Sequence, residues 1–214
     1  MRISANAIKK LYAWIYIWPA MLMYPLTPKR HRENLKMDMR RIVGDRVDKN
    51  LCLALYELLV AGGEFRNIYY MRIGQLSKLI KWYLKGQTLC GLNTLRQYVG
   101  GGIYIQHGWS MVLDAESVGE NLWINQLVTV GFKGDGHPRI GNNVRIGTGA
   151  VILGKITIGD NVNIGANAIV VEDVPANCTV CSPKAQIVKL NGEKVGPIDL
   201  RDYNSGLYQP GAKK

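Results

Sequence analysis

Imidazole is the side chain whose unperturbed titration falls near neutral pH, and the chain has three histidines. His31 lies in the basic run Lys29-Arg30-His31-Arg32, where a solvated ring is the plain reading. His107 lies in IYIQHGWS and His137 in GDGHP. Both are followed or preceded by glycine, and neither falls on the inward-facing series described below. A histidine so placed can accept a hydroxyl proton, the work of a general base. Trp109, close to His107, can stack on a sugar face or pack. No Walker loop, dinucleotide fingerprint or serine-hydrolase elbow accompanies them. Cys52, Cys90, Cys178 and Cys181 suggest no disulfide framework. The pair Cys178 and Cys181 lacks two further zinc ligands at suitable spacing, so no metal is expected.

The scaffold for these residues shows in a ladder. Ile140, Ile146, Ile152, Ile158, Ile164 and Val170 recur every six residues. Val144, Ala150, Ile156, Val162 and Ala168 stand between them. A period of six suits neither a helix face nor strand alternation. It suits a hexapeptide solenoid, in which short strands stack coil on coil. Asn142-Asn143 and Asp160-Asn161 fall at its corners, where a positive φ is needed. Upstream, Val112, Val118, Ile124 and Val130 read as the same inward series, and Tyr98–Gly102 as its opening. Ten residues separate Val130 from Ile140, four more than one repeat. The surplus sits in GFKGDGHP, a loop expected to project and to carry His137.

Residues 1–98 read as an α-helical region, 99–188 as the solenoid and 189–214 as an irregular, extended or partly disordered tail. Residues 11–26, LYAWIYIWPAMLMYPL, are apolar and flanked by Lys9, Lys10 and Lys29–Arg32. The run is short for a membrane span and carries Pro19. Two readings stand: a helix lying in a membrane interface, with residues 9–32 as a peripheral contact, or a helix buried in the helical region. Residues 1–90 hold 16 Lys/Arg against 6 Asp/Glu, so most of the formal net charge of +11 lies there. That suits an anionic partner or a solvated basic face. No nucleic-acid module is present, and none is expected as a partner. The thiols and the lack of a secretory signal pattern point to the cytoplasm, with association to the cytoplasmic membrane face left open.

The hexads, IQHG, VTVGFKGDGHPRIGNNVRIGTGA and IGANAIVVEDVPANCTV together resemble the serine acetyltransferase branch of the left-handed β-helix acyltransferases. EFRNIYYMRIG and the short helical region resemble the polysaccharide-biosynthesis members of that branch. The resemblance implies a mainly β fold, a left-handed parallel β-helix under an N-terminal helical cap. It implies a homotrimer that binds acetyl-CoA in clefts between subunits and acetylates a hydroxyl directly. By motif it makes His107 the base and His137 the second histidine. It places Ala150, Gly165, Ala166 and Ala168 along the CoA cleft, although tight coil packing explains them as well. Lys184, in Ser182-Pro183-Lys184-Ala185 where the family has Gly-x-Pro-Ala, is placed to meet a CoA phosphate.

The departures bear on the acceptor. Serine acetyltransferases carry Asp before the first histidine and Arg before the second; here stand Gln106 and Gly136. A zwitterionic amino acid needs such charges to offset its desolvation. Their loss favours a neutral hydroxyl, a surface-polysaccharide sugar ahead of serine. Gln106, Trp109 and Asp135 are then the acceptor-binding candidates. The family's base-orienting Asp falls here near Leu92 or Asn93, which leaves Asp114, Glu116 and Asp135 as candidates to orient His107.

Overall fold

A computed structural model describes residues 5–205, with side chains from residue 14 onward. Lys9 and Lys10, the expected N-terminal flank of the apolar run, and the end of the tail beyond 205 lie outside the described side chains.

Five helices come first: α1 (Ala5–Leu26), α2 (Lys29–Val43), α3 (Arg46–Lys49), α4 (Leu51–Ala61) and α5 (Gly63–Ile73). Asn50 starts α4 by accepting the Leu53 N–H at 3.0 Å. Ile17, Ala20, Leu35, Met39, Leu59 and Tyr69 are all but fully buried and form the centre of this cluster. The Tyr69 hydroxyl donates to the Ala20 carbonyl at 2.6 Å, tying α5 to α1. From Trp14 to Leu26 the apolar run is therefore packed along one side, as the buried-helix reading has it. Its other side stays exposed. Leu79 is also exposed, at the end of a 3₁₀ turn (Gly74–Leu79) that follows α5.

A buried ion pair fastens the helices to the solenoid. Arg72 Nε meets Asp38 Oδ2 at 2.8 Å, both side chains fully buried. Arg72 also donates to the carbonyls of Val99 and Gly100, and Asp38 accepts the Ile103 N–H at 2.8 Å. Each lone charge is thus paired and its remaining hydrogen-bonding capacity used, as burial requires.

The solenoid is built of short strands in three parallel ladders. The first holds β1 (Cys90–Leu92), β3 (Met111–Leu113), β6 (Thr129–Gly131), β9 (Val151–Leu153) and β12 (Ile169–Val170). The second holds β4 (Ser117–Val118), β7 (Arg139–Ile140) and β10 (Thr157–Ile158). The third holds β2 (Tyr104–Gln106), β5 (Trp123–Asn125), β8 (Arg145–Ile146), β11 (Asn163–Ile164) and β13 (Thr179–Val180). Each coil visits the ladders in that order, so the cross-section has three faces and three corners. This is the expected mainly β, left-handed parallel β-helix with helices at its N-terminal end. It begins at Cys90, earlier than Tyr98–Gly102, because β1 already pairs in register with β3.

The ladder Ile140, Ile146, Ile152, Ile158, Ile164 and Val170 is inward-facing and buried throughout. Upstream, Val118, Ile124 and Val130 are buried as expected, and Val112 alone of that series departs. Val112 is 38% exposed, whereas Met111 and Leu113 beside it are fully buried. Leu113 and Val118 are five residues apart, one fewer than a repeat, so the inward position falls on Leu113. At the corner between the second and third ladders, Asn121, Asn143, Asn161 and Asn177 take φ of 55 to 62°. Their amides hydrogen-bond from coil to coil at 2.9–3.1 Å. Asn tolerates this left-handed conformation and finds a partner in the next coil. There the backbones run close: a Cβ on Gly119 would come within 2.6 Å of the Gly141 carbonyl carbon.

From Ser182 onward the described residues form a separate unit. It contains an antiparallel hairpin, β14 (Gln186–Leu190) and β15 (Glu193–Asp199), then the short α6 (Leu200–Asn204). The tail is therefore not simply extended. Asn191-Gly192 makes the turn with φ of 51° and 85°, the primed-turn chemistry that closes two-residue hairpins.

Candidate active site

His107 sits at the corner between the third and first ladders. Gln106 is in register with Asn125, and Val112 with Thr129. Six residues separate the upper pair and four the lower, so two additional residues lie in the His107 corner. They lift His107 and Trp109 out of the stack, where both are exposed, while Gly108 between them stays buried. His107 itself adopts φ of 55°, and its carbonyl accepts the Trp109 N–H at 2.6 Å. Leu127 and Asn167, lower on the same corner, take the same left-handed conformation, with φ of 60° and 57°. Directly below, in the next coil, is Gln126. Its Oε1 is buried without a hydrogen-bond partner among the described residues. The sequence offered no signal for Gln126, whose placement follows from the register alone.

His137 sits at a different corner, between the first and second ladders. Its loop is closed by Lys133 and Gly136 and fastened on three sides. Glu116 N–H donates to the Pro138 carbonyl at 2.9 Å. Asp135 accepts the Lys155 N–H at 3.3 Å. His137 Nε2 stands 3.3 Å from Asp114 Oδ2, each side chain more than a third exposed. Phe132 lies against the imidazole, ring centres 5.3 Å apart.

These contacts correct the expectation for His107. Asp114 pairs with His137. Glu116 binds Arg139 at 2.6 Å, a hydrogen bond that holds its carboxyl below the usual range. Asp135 braces its own loop, so its proposed contact with an acceptor at His107 is not formed within this chain. All three acids belong to the His137 corner. Strand β3 lies between the two corners, so at about 3.3 Å per residue the histidines of one chain stand roughly 10 Å or more apart.

The cofactor candidates divide. Ala150 and Ala168 are buried in the solenoid core and line no cleft, because both side chains point inward. Gly165 and Ala166 lie on the His107 corner three coils below it, and Ala166 is exposed. Gln106 ends β2 just above that corner. Lys184 falls in the separate C-terminal unit. A cavity of 660 Å³ lies between α5 and the first coil and includes Lys78, Lys81, Lys85 and Arg96. Neither catalytic candidate lines it.

Residues 137–171 match the bacterial transferase hexapeptide (six repeats) family. A serine acetyltransferase of Staphylococcus epidermidis is 32% identical over 162 residues, 73% of this chain and 74% of that protein. The chain belongs to the serine acetyltransferase family of hexapeptide-repeat transferases. It is an acyltransferase. A Staphylococcus aureus serine acetyltransferase is 43% identical over 117 residues, 52% of this chain and 55% of the relative. Among solved structures, Neisseria gonorrhoeae serine acetyltransferase in complex with serine superposes with a TM-score of 0.56 at 25% identity. That match covers 85% of this chain and 75% of the other.

Proposed function

We propose that this family member transfers acetyl from acetyl-CoA to the hydroxyl of a small acceptor, with His107 as general base. The exposed, left-handed His107 on its enlarged corner carries this reading. His107 accepts the hydroxyl proton as the oxygen attacks the thioester carbonyl. The tetrahedral intermediate then expels the CoA thiolate, which takes the proton back from the imidazolium. Gly147, Gly165 and Ala166 keep the same corner low over about three coil spacings of ~4.8 Å, a run suited to an extended thioester arm. Because His107 and His137 stand at different corners, a site using both draws them from neighbouring copies, as a homotrimer would supply.

L-Serine is the acceptor that the relatives' names support. A sugar hydroxyl is the second reading, and one observation favours it. Gln106 and Gly136 stand where the family carries the charges that hold a zwitterion. A CoA-release assay with L-serine against mono- and oligosaccharides separates the two. Turnover on serine at a rate independent of added sugar establishes the first, and turnover confined to sugars the second. Release with neither removes both acceptors.

A further inference from the structure

We propose that the outward face of α1 seats the protein on the surface of an anionic bilayer. At 3.6 residues per turn, Trp14, Trp18, Leu22, Ile15 and Leu26 share an arc of about 120°. Their exposures are 49%, 48%, 50%, 61% and 65%. The opposite arc, with Ile17, Ala20 and Tyr24, packs into the helical cluster. Trp14 is held in place by stacking on Tyr56 of α4, centroids 5.2 Å apart. A surface helix is ordinarily polar on its outer face. This one has no charged residue between 11 and 26, so the fold covers only half of a helix that is apolar all round. A contiguous apolar face of this kind marks an interaction surface.

Charge selects the occupant. The C-terminal end of the stripe runs into Lys29, Arg30 and Arg32, with Glu33 3.9 Å from Lys29 offsetting one of them. Residues 1–90 as a whole hold 16 basic against 6 acidic side chains. A second copy docked face to face would set these like charges against each other. An anionic headgroup layer neutralises them, and Trp14 and Trp18 suit the depth where ring and headgroup meet. Among the described residues no helix is long and apolar enough to cross a membrane, and α1 carries Pro19 and Pro25. The helix therefore lies in the plane of the interface. Binding by this face does not depend on which acceptor the enzyme uses.

The test is co-sedimentation of the full-length protein with vesicles of phosphatidylcholine alone or with phosphatidylglycerol added. Binding at least tenfold greater to the anionic vesicles, weakened by salt, is expected. Trp18→Glu with Leu22→Glu should lower it tenfold or more, with thermal midpoint and solution mass unchanged. No binding by the wild type, or unchanged binding by the double variant, overturns the proposal. So does a fall in solution mass, which would make the face a contact between copies. Should the double variant not fold, brominated phosphatidylglycerol decides on the wild type: tryptophan quenching supports the proposal, and its absence overturns it.

Discussion

At the scale of single residues, function gathers where the repeat is broken. His107 occupies a corner with two additional residues and a positive φ, and His137 a corner carrying a four-residue surplus. A side chain on a regular corner lies flat against its neighbours above and below; an insertion lifts it clear to meet a ligand. His107→Ala is expected to slow acetyl transfer by about 10²–10⁴-fold in a CoA-release assay, the usual share of a general base. The side chain is exposed, so the thermal midpoint should not move. An unchanged rate removes His107 from its role. Both histidines could be found from their glycine neighbours and the uneven spacing. Their partners could not. Asp114 is seven residues from His107 and twenty-three from His137, yet it pairs with His137, because β3 carries the chain across a whole face of the solenoid.

At the scale of elements, the Arg72–Asp38 pair joins α5 and α2 to the first coil. Asp38→Ala would leave a buried guanidinium uncompensated and the Ile103 N–H without its acceptor. The expected cost is about 3–5 kcal/mol, read as a lowered urea midpoint. An unaltered midpoint would show that the pair contributes nothing net. This contact joins residues 34 apart in sequence and shows no periodicity that could announce it. The C-terminal hairpin was readable in part. Asn191-Gly192 is a strong turn signal, but the flanking strands lack clean alternation, so the segment reads as tail. The α1 helix shows the opposite situation. Its apolar composition is plain, while the division into a packed arc and an open arc depends on α4 and α5 closing over one side only.

At the scale of the whole molecule, the separation of the two histidines makes a statement about assembly. If the catalytic site takes His107 from one copy and His137 from the next, two inactive variants should repair each other. His107→Ala mixed with His137→Ala, dissociated and reassembled as random trimers, should recover about one quarter of wild-type activity, since one interface in four combines both intact histidines. Recovery near zero would place both histidines' work within a single subunit or assign His137 no part in it. The basic helical region and the nearly neutral remainder divide the same molecule differently, with the anionic-surface face at one end and acetyl transfer along the solenoid.

The six-residue period alone dictated the coil, because only a solenoid brings every sixth side chain to one inward line, and Asn at the corners is what left-handed turns accept. It also exposed the irregular spacings where chemistry collects. Which ladder each residue joins was settled by three-dimensional register. A spacing of five rather than six between Leu113 and Val118 turned Val112 outward, the pairing of β2 with β5 set Gln126 beneath His107, and Ala150 and Ala168, two residues before Ile152 and Val170, face the core with them. Side chains one coil apart are close neighbours in space but some twenty residues apart along the chain. Their meeting depends on the length of every corner between them.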